Sequence, residues 1–345
     1  MSPTAGCWSF DVGGGRELSV AVSSFIETLG SPPELLALGE PTHGEPAFPY
    51  LRNRIFKELV NNGFRSIAIE SDCVVALKVD AFVQGDDSTL DSAMVEGFSH
   101  GFGQLDANRE LVAWVRAYND SRPFAERLRF YGFDAPLEMT GAPSPRLYLE
   151  HLHGYLSKHL GSGSLIHGHE EFEQLLGDDE RWNNLAAQLD ASKSIGASAE
   201  AVRLRVIADD LMTVLYAQAP RLVAASTLAE WHCAEVHART ALGLLRYHAQ
   251  AAAVAPQAER TSRLLGVRDA LMAENLLAVR SLEQHRGATF VFGNNRHLQR
   301  HPSTWRLADM DLEWFSAGAI VATLLEDHYV FVAGSLGASW SCPGY

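Results

Sequence analysis

Two short apolar runs separated by one amphipathic segment constrain this chain more than any other feature. Residues 34–40 (ELLALGE) are a brief apolar stretch closed by a turn, the pattern of a buried strand. Over residues 46–62 the apolar side chains Phe48, Leu51, Ile55, Phe56 and Leu59 recur at helical spacing, and Asn62-Gly63 supplies a stop. Residues 65–70 (RSIAIE) repeat the strand pattern. Strand, helix and strand in this order are a βαβ unit, which implies parallel strands joined by a right-handed crossover. Residues 127–134, 288–294 and 328–334 read as three further strands. Residues 146 to about 285 are rich in Ala and Leu, with the clearest helical character over 198–218 and 227–252.

No Pro/Gly/Ser linker separates these parts. The expectation is therefore one domain over residues 1–345, with an α/β core at about 30–140 and 286–345 and a helical portion at about 141–285. A hydrophobic content of 47% with 20% charged residues is that of a folded globular chain. The net charge of −14 argues against nucleic-acid and anionic-membrane partners, which call for a basic surface. No apolar run approaches the roughly 18 residues that span a bilayer, and the first residues lack the pattern of a signal peptide. A cytoplasmic protein is expected. Cys7, Cys73, Cys233 and Cys342 form no CxxC pair and read as reduced thiols.

Chemistry-bearing residues collect at the ends of the expected strands. The first ends at Glu40 and leads to His43, and the second ends at Glu70, followed by Ser71 and Asp72. The third ends at Asp134, and the fourth runs into Asn294, Asn295, Arg296 and His297. In open α/β sheets the crevice beyond the carboxyl ends of the strands is where ligands bind, so parallel neighbours would bring these groups to one rim. Glu40 and His43 bracket a tight turn with Pro41 and Gly44, and a carboxylate beside an imidazole fixes its tautomer and raises its basicity. Arg52, on the sheet-facing side of the next helix, needs an anionic partner if buried, and Glu40 or Glu70 is the available one.

Other chemistries find less support. His43, His297 and the carboxylates could hold zinc or manganese, but no HExxH or similar spacing is present. The chain lacks G-x-S-x-G. Gly161-Ser162-Gly163-Ser164 reads as a flexible turn, and Gly13-Gly14-Gly15 lacks the rest of a phosphate loop. His151, His153, His159, His167 and His169 are loosely spaced and read as surface histidines. His237 and His248 read as residues of the helical bundle. No metal and no cofactor are expected.

The run LLALGEPTHGEPAFPYLRNRIFKELVNNGFRSIAIESDCVVALKVDAFVQG resembles the erythromycin esterase-like family. The G-E-x-T-H-G turn, the Arg-bearing helix and the strand ending in Glu come in that family's order. The likeness continues through NRELVAWVRAYN, FYGFD, VRDALMAENL and the last strand pattern near residues 329–337, covering most of the chain from about residue 30. It implies a largely parallel α/β sheet core with a large helical portion forming one wall of a deep cleft. The best-known members hydrolyse the lactone ester of macrolide antibiotics without a serine nucleophile. In them the turn histidine is taken to activate water.

Carried over by position, Glu40, His43, Arg52, Glu70 and His297 are the implied catalytic residues. Asn294, Asn295, Asp134 and Arg268 are the implied substrate contacts. Asn294 departs from the family, standing where the first His of an H-N-x-H motif is usual. An amide can donate to a developing oxyanion but cannot shuttle a proton. The expectation is a metal-independent hydrolase with His43 as general base, acting on an ester or lactone of a small natural product, a macrolide antibiotic or a biosynthetic compound. The rivals are a lyase, cyclase or acyl-transfer enzyme of a biosynthetic pathway using the same base, a binding protein that has lost the chemistry, and a metallohydrolase.

Overall fold

The computed structural model describes residues 15–161, 165 and 167–336. Cys7, Cys342, Gly13, Gly14, Ser162, Gly163 and Ser164 fall outside these. Five strands, β1 (Leu35–Glu40), β2 (Ser66–Asp72), β3 (Arg129–Asp134), β4 (Thr289–Asn294) and β7 (Tyr329–Ala333), form one parallel sheet in the order β3-β2-β4-β1-β7. The protein is a mixed α/β structure, and all five strands expected from apolar runs are present within two residues of their expected bounds.

The pleat sorts the sheet's side chains into two cores. Leu36, Leu38, Ile67, Ile69, Phe290 and Phe292 pack in one, with Phe56 and Leu59 of helix Ala47–Asn61. Leu35, Ala37, Ala68 and Val291 pack in the other, with Met272 and Leu276. Burial on both faces explains why these strands read as continuous apolar runs rather than alternating ones. Phe56 has no exposed surface; truncating such a side chain to Ala typically costs about 3–5 kcal/mol.

The sequence pattern did not show that β4, more than 200 residues later in the chain, enters between β1 and β2. Glu40 stands beside Asn294 in the β1–β4 register, and Ile69 beside Phe292 in the β2–β4 register. The two glutamates that end the first βαβ unit thus flank the end of β4.

The chain divides into two compact units. One holds the sheet: the described chain up to Asp134, Met272–Thr304, and the chain from Phe315. The other is Ala135–Leu271 with Trp305–Trp314. The second unit is mainly helical, and Leu152, Leu156, Ile207, Leu211, Leu215 and Trp231 form a core within it.

Three readings are corrected. Residues read as a polar lead-in include the helix Gly15–Thr28. Two short strands went unread, β5 (Pro302–Leu307) and β6 (Met310–Phe315), which pair as a ribbon. Leu312 and Trp314 of this ribbon pack on Leu265, and Trp314 donates from Nε1 to Asp269 Oδ2 at 2.8 Å. His153 and His167 are buried, not on the surface. His153 lies on the helix Arg146–Leu160 and packs against Phe172, while His167 sits 2.9 Å from Asp210 and 3.2 Å from Glu171. Among the described residues no helix is long and apolar enough to cross a membrane.

Candidate active site

The turn after β1 places His43 between two carboxylates. Its Nδ1 donates to Glu40 Oε1 at 2.7 Å, and its Nε2 lies 3.5 Å from Glu70 Oε1. Gly44 closes the turn at φ +85°, a conformation that strains any other residue. The ring of Phe102 packs edge-on against His43, with centroids 5.3 Å apart.

Glu70 is the centre of the arrangement. Its Oε2 accepts from the backbone N–H of Asn294 at 2.6 Å, so the sheet itself anchors one side of the carboxylate. Its Oε1 stands 3.5 Å from His43 Nε2 and also 3.5 Å from His297 Nε2. These distances suit ion pairing but are too long for tight hydrogen bonds. Two imidazoles therefore converge on one carboxylate oxygen. Gly293 makes the approach of Glu70 possible, because a Cβ there would lie 2.8 Å from Glu70 Oε2 and 3.0 Å from its Cβ. Gly293→Ala should fold but push Glu70 off the Asn294 N–H. Misplacement of this kind lowers activity on the order of a hundredfold, measured as kcat against an unchanged circular dichroism spectrum. Wild-type turnover in this variant would show that the anchoring does not matter.

Burial pulls the His43 pKa down, but the hydrogen bonds and charges of Glu40 and Glu70 outweigh it and push the imidazole up to about 10. The side chain keeps 43% of its surface exposed, so water screens part of this effect. The resting residue is an imidazolium shared between two carboxylates.

Arg52 is almost fully buried. Contrary to the expectation of a direct carboxylate partner, its Nε and Nη2 both donate to Asn53 Oδ1, at 3.0 and 2.7 Å. Asn53 passes the connection on, donating to the Ala107 carbonyl at 2.7 Å. The guanidinium also lies over the Phe292 ring, 5.0 Å from its centroid. Burial lowers the Arg52 pKa to about 9, with the Glu40 charge opposing, so the group stays cationic at neutral pH. Glu40 thus balances Arg52 through space rather than by contact.

Glu40, Arg52, Glu70, Phe102, Asn108 and Phe292 line a small, partly open pocket of about 40 Å³. Glu40 Oε2 and Asn108 Oδ1 are buried without a hydrogen-bond partner among the described residues. Buried oxygens of this kind call for ordered water or a ligand's polar group.

The other expected residues separate into distinct roles. Asn294 caps the short helix Asn295–Leu298, its Oδ1 accepting from the Arg296 N–H at 3.0 Å. The Asn295 amide is bound at both ends by Gly334, donating to its carbonyl at 2.8 Å and accepting from its N–H at 3.2 Å. Asn295 therefore fastens the end of β4 to the chain after β7, and a Cβ at Gly39 would strike its Oδ1 at 2.1 Å. Asp134, with no exposed surface, accepts from His100 Nε2 at 3.0 Å. Burial and the Asp134 charge push the Asp72 carboxyl up to about 6, against a Val74 N–H bond that opposes them. Arg268 belongs to the second unit, where its charge acts on Tyr247.

Sequence reasoning missed His100, Phe102 and Asn108. His100 adopts φ 56°, in the left-handed region, within the Ser-His-Gly turn. That Gly-flanked histidine was the one available signal.

Parallel strands, carboxylates at their C-terminal ends and imidazoles held against those carboxylates define an α/β protein with a polar site at the rim of its sheet. The sequence model of the erythromycin esterase family matches residues 59–340, and the chain belongs to that family. Membership supports a hydrolase. The matched stretch contains Glu70, Asp134, Arg268 and the Asn294–His297 turn, and begins after Glu40, His43 and Arg52. None of the curated proteins matches the sequence.

Solved structures share the fold at low identity. A protein from Bacillus cereus is 19% identical with a TM-score of 0.67, the match covering 93% of this chain and 69% of that one. A succinoglycan biosynthesis protein is 16% identical with a TM-score of 0.66, covering 94% and 71%. A mutant of the erythromycin esterase EreC in its open conformation is 17% identical with a TM-score of 0.62, covering 93% and 73%.

Proposed function

We propose that the protein hydrolyses an ester or lactone of a small natural product, with His43 and Glu70 handling the proton of the attacking water. The observation that carries this is the clamp on His43. Glu40 holds Nδ1 and turns Nε2 toward Glu70 Oε1, and both carboxylates line the neighbouring pocket. A water placed there gives its proton to His43 once the ring has lost its resting Nε2 proton to solvent, and the hydroxide adds to the ester carbonyl. The protonated ring then returns a proton to the leaving alcohol oxygen. His297, 3.5 Å from Glu70 Oε1, and the Asn294 side-chain amide are the groups we assign to the developing oxyanion. A substrate panel from macrolide lactones to small esters, read by mass, tests the reaction. Gain of one water supports hydrolysis, and a product without it sinks the reading in favour of elimination, cyclisation or acyl transfer.

The raised pKa of His43 favours a second division of labour, in which the resting imidazolium is the acid and Glu70 the base. The pH profile of kcat/KM separates the two. A base must lose its proton, so activity climbs through the alkaline range toward about pH 10, where His43 titrates. An acid must keep it, so activity falls over the same range. In either case Glu40→Gln removes a charge that raises the pKa and should move the alkaline limb to lower pH. A limb that does not move would remove His43 from the titration.

A further inference from the structure

The helical unit contains a cluster of metal-ligating side chains that the proposed hydrolysis does not use. Cys233 and His237 stand one turn apart on the helix Leu228–Ala251, so both project from one face. The helix Arg146–Leu160 presents His151 to the same place. His151 Nε2 is 3.6 Å from Cys233 Sγ, and His237 Nδ1 is 3.8 Å from it. The two imidazoles stack nearly parallel, with centroids 3.7 Å apart and 12° between planes. One ligand atom from each of the three residues lies within 4.8 Å of the others.

The His151–Cys233 spacing matches one edge of a metal tetrahedron. With metal–sulfur and metal–nitrogen distances of about 2.3 and 2.0–2.1 Å, a tetrahedral zinc ion holds its sulfur and nitrogen ligands roughly 3.6 Å apart. An imidazole coordinates in its own ring plane, so binding would turn the exposed His151 ring out of this stack. His237 Nδ1 donates to the Cys233 carbonyl at 2.8 Å, which fixes the ring and leaves Nε2 as its lone-pair nitrogen. Cys233 is a free thiol.

We propose that His151, Cys233 and His237 bind a thiophilic divalent cation of the zinc class, with the fourth coordination position open to water. The ion replaces the Cys233 thiol proton, which leaves to solvent, and bonds to the resulting thiolate and one nitrogen of each ring. It cross-links two helices of the same unit, so its first consequence is stability. Binding to the folded chain alone raises the melting temperature.

The test uses the full chain, stripped with a chelator and titrated with Co²⁺ as the probe. One Co²⁺ per chain should give a thiolate-to-cobalt charge-transfer band with the visible bands of tetrahedral cobalt, and Zn²⁺ should displace it. Cys233→Ser should lose the charge-transfer band. His151→Ala, at an exposed position, should weaken binding by about tenfold or more. His43→Ala should leave the spectrum intact, which keeps this site separate from the rim of the sheet. Absence of a charge-transfer band at saturating Co²⁺, its survival in Cys233→Ser, or its loss in His43→Ala overturns the proposal. Zn²⁺ should also raise Tm by a few degrees in the wild type and not in Cys233→Ser.

Discussion

Replacing His43 by alanine is expected to lower kcat by about a hundred- to ten-thousand-fold, the range associated with a positioned proton-transfer residue. The fold should survive, because the side chain keeps 43% of its surface exposed and leaves little core behind. The assay is turnover on whichever member of the ester panel the wild type converts, with circular dichroism as the control for folding. Near-wild-type turnover would take proton transfer away from His43. Stability supplies a second readout. The His43 pKa is raised on folding from 6.5 to about 10, so its contribution is full below pH 6.5 and disappears as pH rises to about 10. Wild-type Tm should therefore fall across that window more steeply than Tm of His43→Gln.

Arg52→Met is the substitution expected to cost most in stability. The guanidinium is almost fully buried, and the Glu40 carboxylate opposes the effect of its burial on pKa. Removing it leaves Glu40 buried with Oε2 lacking a hydrogen-bond partner among the described residues, and strips Asn53 Oδ1 of both Arg52 donors. Breaking one side of a buried charge balance typically costs about 3–5 kcal/mol. Chemical denaturation checks the figure. Adding Glu40→Gln to Arg52→Met should recover part of the loss, with a coupling of about 0.5–3 kcal/mol. Strict additivity would show that Arg52 is held by Asn53 and Phe292 alone.

How much of the site was legible depended on where each residue sits in the chain. Glu40, His43 and Glu70 could be read because each closes or follows an apolar run, and the period of the helix between them was clear. Arg52 was placed correctly on the buried face, but its immediate partner, Asn53, could not be seen. Adjacent residues on a helix project in different directions, and only the orientation of the long Arg side chain brings its guanidinium back to the neighbouring amide. Asn294 and Asn295 look equivalent in sequence. One caps a four-residue helix and the other binds both backbone groups of Gly334, a residue 39 positions later. Their roles follow from where β7 ends.

The sequence by itself determined the parallel α/β core, its five strands and the identity of the turn that carries His43. Strands buried on both faces and a helix of regular period leave little choice of local structure. Strand order was a different matter. β4 enters between β1 and β2 because the sheet needs an apolar strand in the position that the crossover leaves open, and no local pattern specifies which strand that is. Tertiary structure alone therefore put the Asn294 N–H on Glu70 and set His297 opposite His43. It also brought His151 to Cys233 and His237 across 82 residues of chain. Local periodicity fixes which face of an element is buried, whereas the meeting of two distant elements depends on packing over the whole unit.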